Sequence, residues 1–270
     1  MRLLRHPGGE NRGASASRNL GMTHSQHDYI AFLDADDYYM KGRFETAKEI
    51  FSNDQECEGV YEGIGIHFES EESRERWMNS SMACVNMTSM NKVVPPSRLF
   101  DCLVLGCGGY FHLDGLVIKK IALNKSGFMN EKLSYHEDTD FIFRLAAVSR
   151  MLPGKLDEPV AVRRVHLNNR ISAPRSTTEK YKDRMKMWMS TYQWCKEKRL
   201  KEKRKIVLER MSTWCSVYKP LGYWRMNTLP ISIKKRLRLI LWAIEYPLIL
   251  VDCNYFEKLI NPDRKIHFIT

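Results

Sequence analysis

Three short stretches of this chain carry residue types whose spacing can do chemistry. Asp34-Ala35-Asp36-Asp37 places three carboxylates in four residues. Their mutual repulsion is best relieved by a cation among them. Oxygen ligands of this kind suit Mg²⁺ or Mn²⁺, ions that bridge substrate phosphates. The bland alternative is a loop of exposed acids opening the next helix, where Asp is a good N-cap. Glu137-Asp138-Thr139-Asp140 begins a second acidic cluster. At a helix start the dipole alone accounts for such charge. Beside a metal diphosphate, however, one of these carboxylates can take a proton from a hydroxyl. His166, ahead of Asn168-Asn169, is the third feature. A lone histidine is usually structural, but as a neutral imidazole it can complete a metal shell.

The elements that must position these groups follow from the apolar pattern. Asp28–Leu33 is a short apolar and aromatic run of the kind that forms a buried strand, and it delivers Asp34 at its end. Ala14–Ser25 reads as a helix of small residues, and Lys41–Ser52 has Phe44, Ala47, Ile50 and Phe51 at helical spacing. Val60–Phe68, Gly115–Lys119 and Val160–Val165 read as strands, the last delivering His166. His136–Ser149 reads as an amphipathic helix that starts at the second acidic cluster. This alternation predicts an α/β fold, in which ligands bind at the carboxyl ends of the strands. From Glu179 to Met211 the chain is charged and helix-permissive, and Ile231–Leu250 is a further apolar segment with a basic start. The expected organisation is a catalytic domain over 1–175 and a basic helical extension over 176–270.

Charge separates the same two parts. The formal net charge is +11, yet residues 1–178 hold 22 Lys and Arg against 23 Asp and Glu, while residues 179–270 hold 21 against 9. The basicity therefore belongs to the extension. No nucleic-acid motif accompanies it, so nucleic acid is not expected as a partner. Lys234-Lys235-Arg236 and Arg238 beside Leu239-Ile240-Leu241-Trp242 set cations next to an apolar face. This pattern suits an anionic membrane surface over 231–251. Leu237–Val251 is interrupted by Arg238, Glu245 and Pro247 and is too short to span a bilayer. The seven cysteines form no C-x-x-C pair, which argues for reduced thiols in the cytoplasm rather than a zinc ribbon or disulfide framework.

Taken in order, these stretches resemble the family-2 glycosyltransferases. Asn11-Arg12-Gly13-Ala14-Ser15-Ala16-Ser17-Arg18-Asn19-Leu20-Gly21 resembles the family's G-x-S-x-A/S-R-N-x-G pattern. Tyr29–Asp37 resembles the strand that ends in D-x-D-D. Ser126–Glu131 is similar to the family's G-F-x-E turn, and Glu137–Phe141 with Arg144-Leu145 to its E-D-x-x-F…R-L helix. Arg163–His166 with Ser172 is similar to the Y-R-x-H…S segment. The resemblance covers residues 8–172 and leaves the tail uncovered.

What the resemblance implies is a GT-A (Rossmann-like) fold with a mostly parallel sheet. It also implies a metal-dependent, inverting transfer of a sugar from a nucleotide-diphosphate donor to a hydroxyl. Asp34, Asp36 and Asp37 would hold Mn²⁺ or Mg²⁺ and the donor diphosphate, with His166 assisting the metal. Asp138 would be the catalytic base, with Glu137 beside it. Arg18, Asn19 and Asp34 would face the donor, with Asn19 helping to fix the loop. The acceptor would be a saccharide or lipid-linked saccharide in surface polysaccharide or glycolipid synthesis, at the inner face of the cell membrane. The family's opening nucleotide-binding strands have no counterpart ahead of Met1-Arg2-Leu3-Leu4, so the expectation is an N-terminally incomplete, truncated catalytic domain with impaired activity. The alternative expectation is a degenerate remnant that only binds a membrane or a partner. A metal-dependent phosphohydrolase built on the first cluster leaves Glu137-Asp138 and Gly127-Phe128 unexplained.

Overall fold

Short strands alternate with helices as far as residue 165, and among the described residues helices alone follow. The structure, a computed structural model, describes residues 2–79, 87–169, 175–218 and 231–245. In order, the elements are α1 (Gly13–His24), β1 (Tyr29–Ala31), β2 (Tyr38–Tyr39), α2 (Glu45–Asn53), β3 (Gly59–Tyr61), β4 (Ile64–Phe68) and α3 (Glu71–Met78). Then come β5 (Met87–Thr88), α4 (Pro96–Leu105), β6 (Leu116–Lys119), α5 (Ala122–Ser126), α6 (Glu137–Val148), β7 (Met151–Pro153) and β8 (Ala161–Val165). The last are α7 (Thr177–Glu197), α8 (Lys201–Tyr218) and α9 (Ile231–Glu245). The chain divides into two compact units, Met1–Pro174 and Arg175–Thr270.

In the first unit the strands form two four-stranded sheets, ordered β1-β6-β3-β7 and β2-β8-β4-β5. The α/β class expected from sequence holds. The sheets, however, are mixed rather than mostly parallel. β3 pairs with β7 and β4 with β8 in parallel, but β6 runs antiparallel to both β1 and β3. β2 and β5 likewise oppose their neighbours. The reason lies in the connections. Parallel neighbours need long crossovers, which the stretches from β3 to β7 and from β4 to β8 supply. β6 instead enters between β1 and β3 from the opposite edge, after the turn Leu113–Gly115. The run read as one strand over Val60–Phe68 is two strands, β3 and β4, which diverge at Glu62-Gly63 into separate sheets.

Apolar spacing accounts for the packing. α2 presents Ala47, Ile50 and Phe51 to Cys57, Val60 and Val117, sealing one face of the first sheet. In α6, Phe141, Phe143 and Leu145 are fully or almost fully buried, so the helix that starts at Glu137 is anchored along its length. Arg144, itself buried, donates to Asp140 (2.9 Å) and to the carbonyls of Ser126 (2.7 Å) and Phe128 (2.8 Å). It therefore pins the Gly127-Phe128 turn to α6.

In the second unit Ser176 and Glu179 form a reciprocal capping box at the start of α7. Tyr181, Met185, Trp188, Tyr192 and Cys195 make its buried stripe. The helix-permissive segment Glu179–Met211 is split between two helices. Arg199 adopts φ 58°, and the Leu200 amide closes back on the Cys195 carbonyl at 2.9 Å, a left-handed helix stop. Among the described residues no helix is long and apolar enough to cross a membrane. Residues 246–251 of the segment expected at a membrane surface lie outside the described residues.

Candidate active site

The acidic turn Asp34–Asp37 joins the two sheets, since β1 ends at Ala31 in the first and β2 begins at Tyr38 in the second. Its backbone closes through the Asp37 amide on the Asp34 carbonyl at 3.1 Å. Each carboxylate then faces different company. Asp34 accepts a hydrogen bond from Arg18 Nη2 at 2.5 Å. Asp36 Oδ2 lies 3.2 Å from His166 Nε2 and 3.3 Å from Asn169 Nδ2. Asp37 accepts from the Arg164 amide at 2.9 Å. The register explains the last two, because β2 pairs with β8 as Tyr38↔Val162 and Tyr39↔Ala161. Continuing that pairing backward from Tyr38 carries the aspartates along the Arg163–His166 end of β8.

The other register brings in two residues that the sequence reading did not single out. β1 and β6 pair as Tyr29↔Lys119, Ile30↔Ile118 and Ala31↔Val117. Three further steps along the same register set Asp34 against Asp114. The Asp34 amide donates to Asp114 Oδ1 at 3.1 Å. His112, two residues earlier, lies with Nδ1 3.4 Å from Asp114 Oδ2. One ligand atom from each of Asp34, His112 and Asp114 falls within 4.8 Å of the others, a grouping able to hold a metal ion. The sequence signal for the pair was slight: an H-x-D spacing directly before the strand Gly115–Lys119.

Electrostatics supports a cation at this point. Asp114 is 0% exposed, and its Oδ2 has no properly formed hydrogen bond. A buried carboxylate is costly unless positive charge is supplied, which His112 or a bound cation can do. Burial, a shared hydrogen bond with Asp114 and the charges of Asp114 and Asp36 push Asp37 up to about 7, against a lowering contribution from the Arg164 amide. For Asp114 burial raises the pKa, but His112, Asp37 and the Asp34 amide outweigh it and hold the group below the usual carboxylate range. Burial disfavours the charged form of His112, and Asp114 reverses this, drawing its pKa up. Positive charge is favoured at this spot, and the donor set of carboxylates with one imidazole fits Mn²⁺ or Mg²⁺. His166 is engaged otherwise: its Nδ1 accepts the Asn168 amide at 3.2 Å while Nε2 meets Asp36. Of the four residues expected as ligands, only Asp34 belongs to the Asp34–His112–Asp114 grouping.

Arg18, on α1, ties the two acidic clusters together. Nη2 reaches Asp34, and Nη1 reaches Glu137 Oε1 at 3.3 Å. Burial works against its charge, but Asp34, Glu137 and Asp138 more than restore it and raise its pKa. Asn19, expected at the donor, is engaged with the turn after α5. It donates to the Met129 carbonyl at 3.0 Å and accepts the Met129 amide at 2.9 Å.

At the start of α6, Glu137 is 5% exposed. Asp138 Oδ1 accepts the Thr139 amide at 2.6 Å. Burial alone would raise the Asp138 carboxyl. His112, the Thr139 amide, His136 and Arg18 outweigh this and hold it below the usual range. An ionised carboxylate thus sits at the helix start, near the acidic turn and with an oxygen able to accept a proton.

Known proteins share parts of this sequence and its fold. Residues 3–93 match the family model described as glycosyl transferase family 2. A Haemophilus influenzae (strain ATCC 51907 / DSM 11121 / KW20 / Rd) protein described as an uncharacterized glycosyltransferase is 24% identical over 172 residues, covering 64% of this chain and 53% of its own length. The chain therefore spans about half the length of that relative. The crystal structure of S. aureus TarS 1–349 in complex with UDP-GlcNAc aligns with a TM-score of 0.52 at 13% identity, over 96% of this chain and 75% of its own. That last likeness is one of fold. Residues 3–93, about a third of the chain, are thus similar to glycosyl transferase family 2, in keeping with the order of the motifs and the acidic turn after β1.

Proposed function

We propose that the chain is an inverting glycosyltransferase that moves a sugar from a nucleotide-diphosphate donor to a hydroxyl acceptor. The observation that carries this reading is Arg18, which joins Asp34 at the metal-competent turn to Glu137 beside Asp138. One electropositive group thereby spaces a cation-binding cluster from a proton acceptor, as a donor diphosphate and an attacking hydroxyl require. The TarS fold neighbour was crystallised with UDP-GlcNAc, which supports a nucleotide sugar as donor.

Asp34 and Asp114, with His112, are the residues that would hold a divalent cation, with Asp36 and Asp37 turned to the same loop. Such a cation supplies Lewis-acid neutralisation of the charge that develops on the departing nucleotide diphosphate. Asp138 accepts the proton of the acceptor hydroxyl as that oxygen attacks the anomeric carbon from the face opposite the leaving group. Glu137 lines the acceptor side and fixes Arg18. His166 orients Asp36. Arg18 balances the negative charge of the two clusters and faces the donor. Surface polysaccharide or glycolipid is the proposed setting.

Peripheral attachment to the cytoplasmic face of a membrane belongs to the same proposal. It is supported by α9, where Ile231 (72%), Ile233 (42%), Ile240 (41%) and Leu241 (42%) are exposed on a helix that also carries Lys234, Lys235, Arg236 and Arg238. Pelleting with anionic vesicles, lost at high salt, is the expected result; equal pelleting with neutral vesicles or none would remove this part.

The decisive experiment is Asp138→Asn in the full chain. Donor binding, measured calorimetrically with UDP-GlcNAc and Mn²⁺, is expected to persist while transfer falls by 10²-fold or more. Transfer at the wild-type rate would exclude Asp138 as the base. Absence of metal-dependent heat in the wild type with UDP-, GDP- and dTDP-sugars alike would favour the remnant that only binds a membrane or a partner.

A further inference from the structure

We propose that Cys102 and Cys107 form a reversible thiol–disulfide couple at the end of α4, oxidised by a small disulfide of the glutathione class. The two sulfurs lie 3.0 Å apart. A bonded pair stands at about 2.05 Å, so closure needs a shift of about 1 Å.

The backbone holds this approach in place. α4 stops at Gly106, whose φ of 73° turns the chain back. The amides of Gly106 (2.9 Å) and Cys107 (3.1 Å) both close on the Cys102 carbonyl, and the reversal lays Cys107 over the last turn of the helix. The next residues fix the loop from its other side. The Asn91 amide donates to the Gly108 carbonyl at 3.0 Å, and Gly109 bridges Met90. A side chain at Gly108 would place its Cβ 2.6 Å from Cys102 Sγ, so only glycine lets the chain pass so near that sulfur.

The two thiols have unequal surroundings, which assigns their roles. Cys107 is exposed and Cys102 is 5% exposed. Burial and the neighbouring Cys107 sulfur push the Cys102 thiol up to about 11, while Lys92 and Arg98 oppose this with positive charge. Cys107 is therefore the sulfur that an external disulfide can reach, and Cys102 is the resolving thiol. Among the other described cysteines, Cys57, Cys195 and Cys215 are buried.

The exchange balances without a further reactant. The Cys107 thiolate attacks one sulfur of the oxidised small thiol. That S–S bond breaks, one small thiolate leaves, and Cys107 carries a mixed disulfide. Cys102, losing its proton, attacks Cys107 Sγ. The mixed S–S bond breaks and the second small thiolate leaves. The protein has given up two electrons and two protons, and the small disulfide has taken them.

The test uses the full chain in glutathione buffers of increasing oxidation, quenched with an alkylating reagent. The tryptic peptide Leu99–Lys119 contains both cysteines and no other, so the internal bond appears as an unalkylated peptide about 2 Da lighter. It is expected to form in oxidised buffer and to revert with excess reduced glutathione. In Cys102→Ser the reaction is expected to halt at a lasting glutathione adduct on Cys107, and in Cys107→Ser neither adduct nor bond forms in this peptide. Two results would overturn the proposal: full alkylation of both cysteines in the most oxidised buffer, or a stable adduct on wild-type Cys107 with Cys102 still alkylated. A bond from either residue to another cysteine would do the same. The wild-type peptide decides the matter even if a variant does not fold.

Discussion

The backbone amide of Asp34 donates to the carboxylate of Asp114 across 3.1 Å, although the two residues are 80 apart in sequence. The contact continues the β1–β6 register beyond the last paired residues. It sets a buried carboxylate beside the acidic turn, the deepest member of a grouping able to hold a metal ion.

Asp114→Asn is expected to weaken Mn²⁺ binding by tenfold or more. It removes a ligand charge while keeping an oxygen that can accept the Asp34 amide. His166→Gln, acting only through Asp36, should cost less. Calorimetric titration of both full-length variants with MnCl₂ ranks them; a larger loss in His166→Gln would return the cation to the Asp36 side.

The charge state of Asp138 makes a prediction about pH. Its folded pKa lies below the ordinary carboxylate value because His112, the Thr139 amide, His136 and Arg18 outweigh burial. A depressed pKa means that the base stays ionised until the pH falls through that lower value. At saturating donor and Mn²⁺, the acidic limb of kcat assigned to Asp138 should therefore lie below the ordinary carboxylate range. A limb near 7 that disappears in Asp138→Glu would contradict the environment described.

Behind Asp114 sits a buried ion pair. Arg43 Nη1 donates to Glu62 at 2.8 Å, and its Nε and Nη2 donate to the Asp114 carbonyl at 3.1 and 2.8 Å. The Arg43 and Glu62 side chains are 2% and 0% exposed. Arg43→Met leaves Glu62 buried and uncompensated, an expected loss of about 3–5 kcal/mol. Adding Glu62→Met should recover much of it. Urea unfolding of the single and double variants measures the coupling, and additive losses would show that the pair is not linked.

Gly115, next to Asp114, touches the backbone of β3's exit. A Cβ there would lie 2.2 Å from the Glu62 carbonyl oxygen. Because backbone cannot swing aside as a side chain can, Gly115→Ala should cost about 1–3 kcal/mol and loosen Asp114 with it. A melting temperature equal to wild type would show that the strands part more freely than this packing implies.

Much of this protein is written locally. The strand that delivers Asp34, the helix that opens at Glu137 and the strand that ends before His166 follow from short apolar runs and a helical period, because such patterns need only near neighbours. The Arg18-Asn19 pair was also visible, although the residues divide the work: Arg18 spans the two clusters and Asn19 secures the Met129 turn. The pairing of His112 and Asp114 with Asp34 was not legible. In a wholly parallel sheet the start of β6 lies at the edge away from the end of β1, so a sheet expected to be mostly parallel kept them apart. The direction of β6 reverses this, since in an antiparallel pair the start of one strand meets the end of the other. The sequence by itself determined the two acidic clusters and the elements that deliver them. Only the tertiary structure decided which acids meet, because strand direction and register are set by the packing of the whole sheet and not by the residues of either strand.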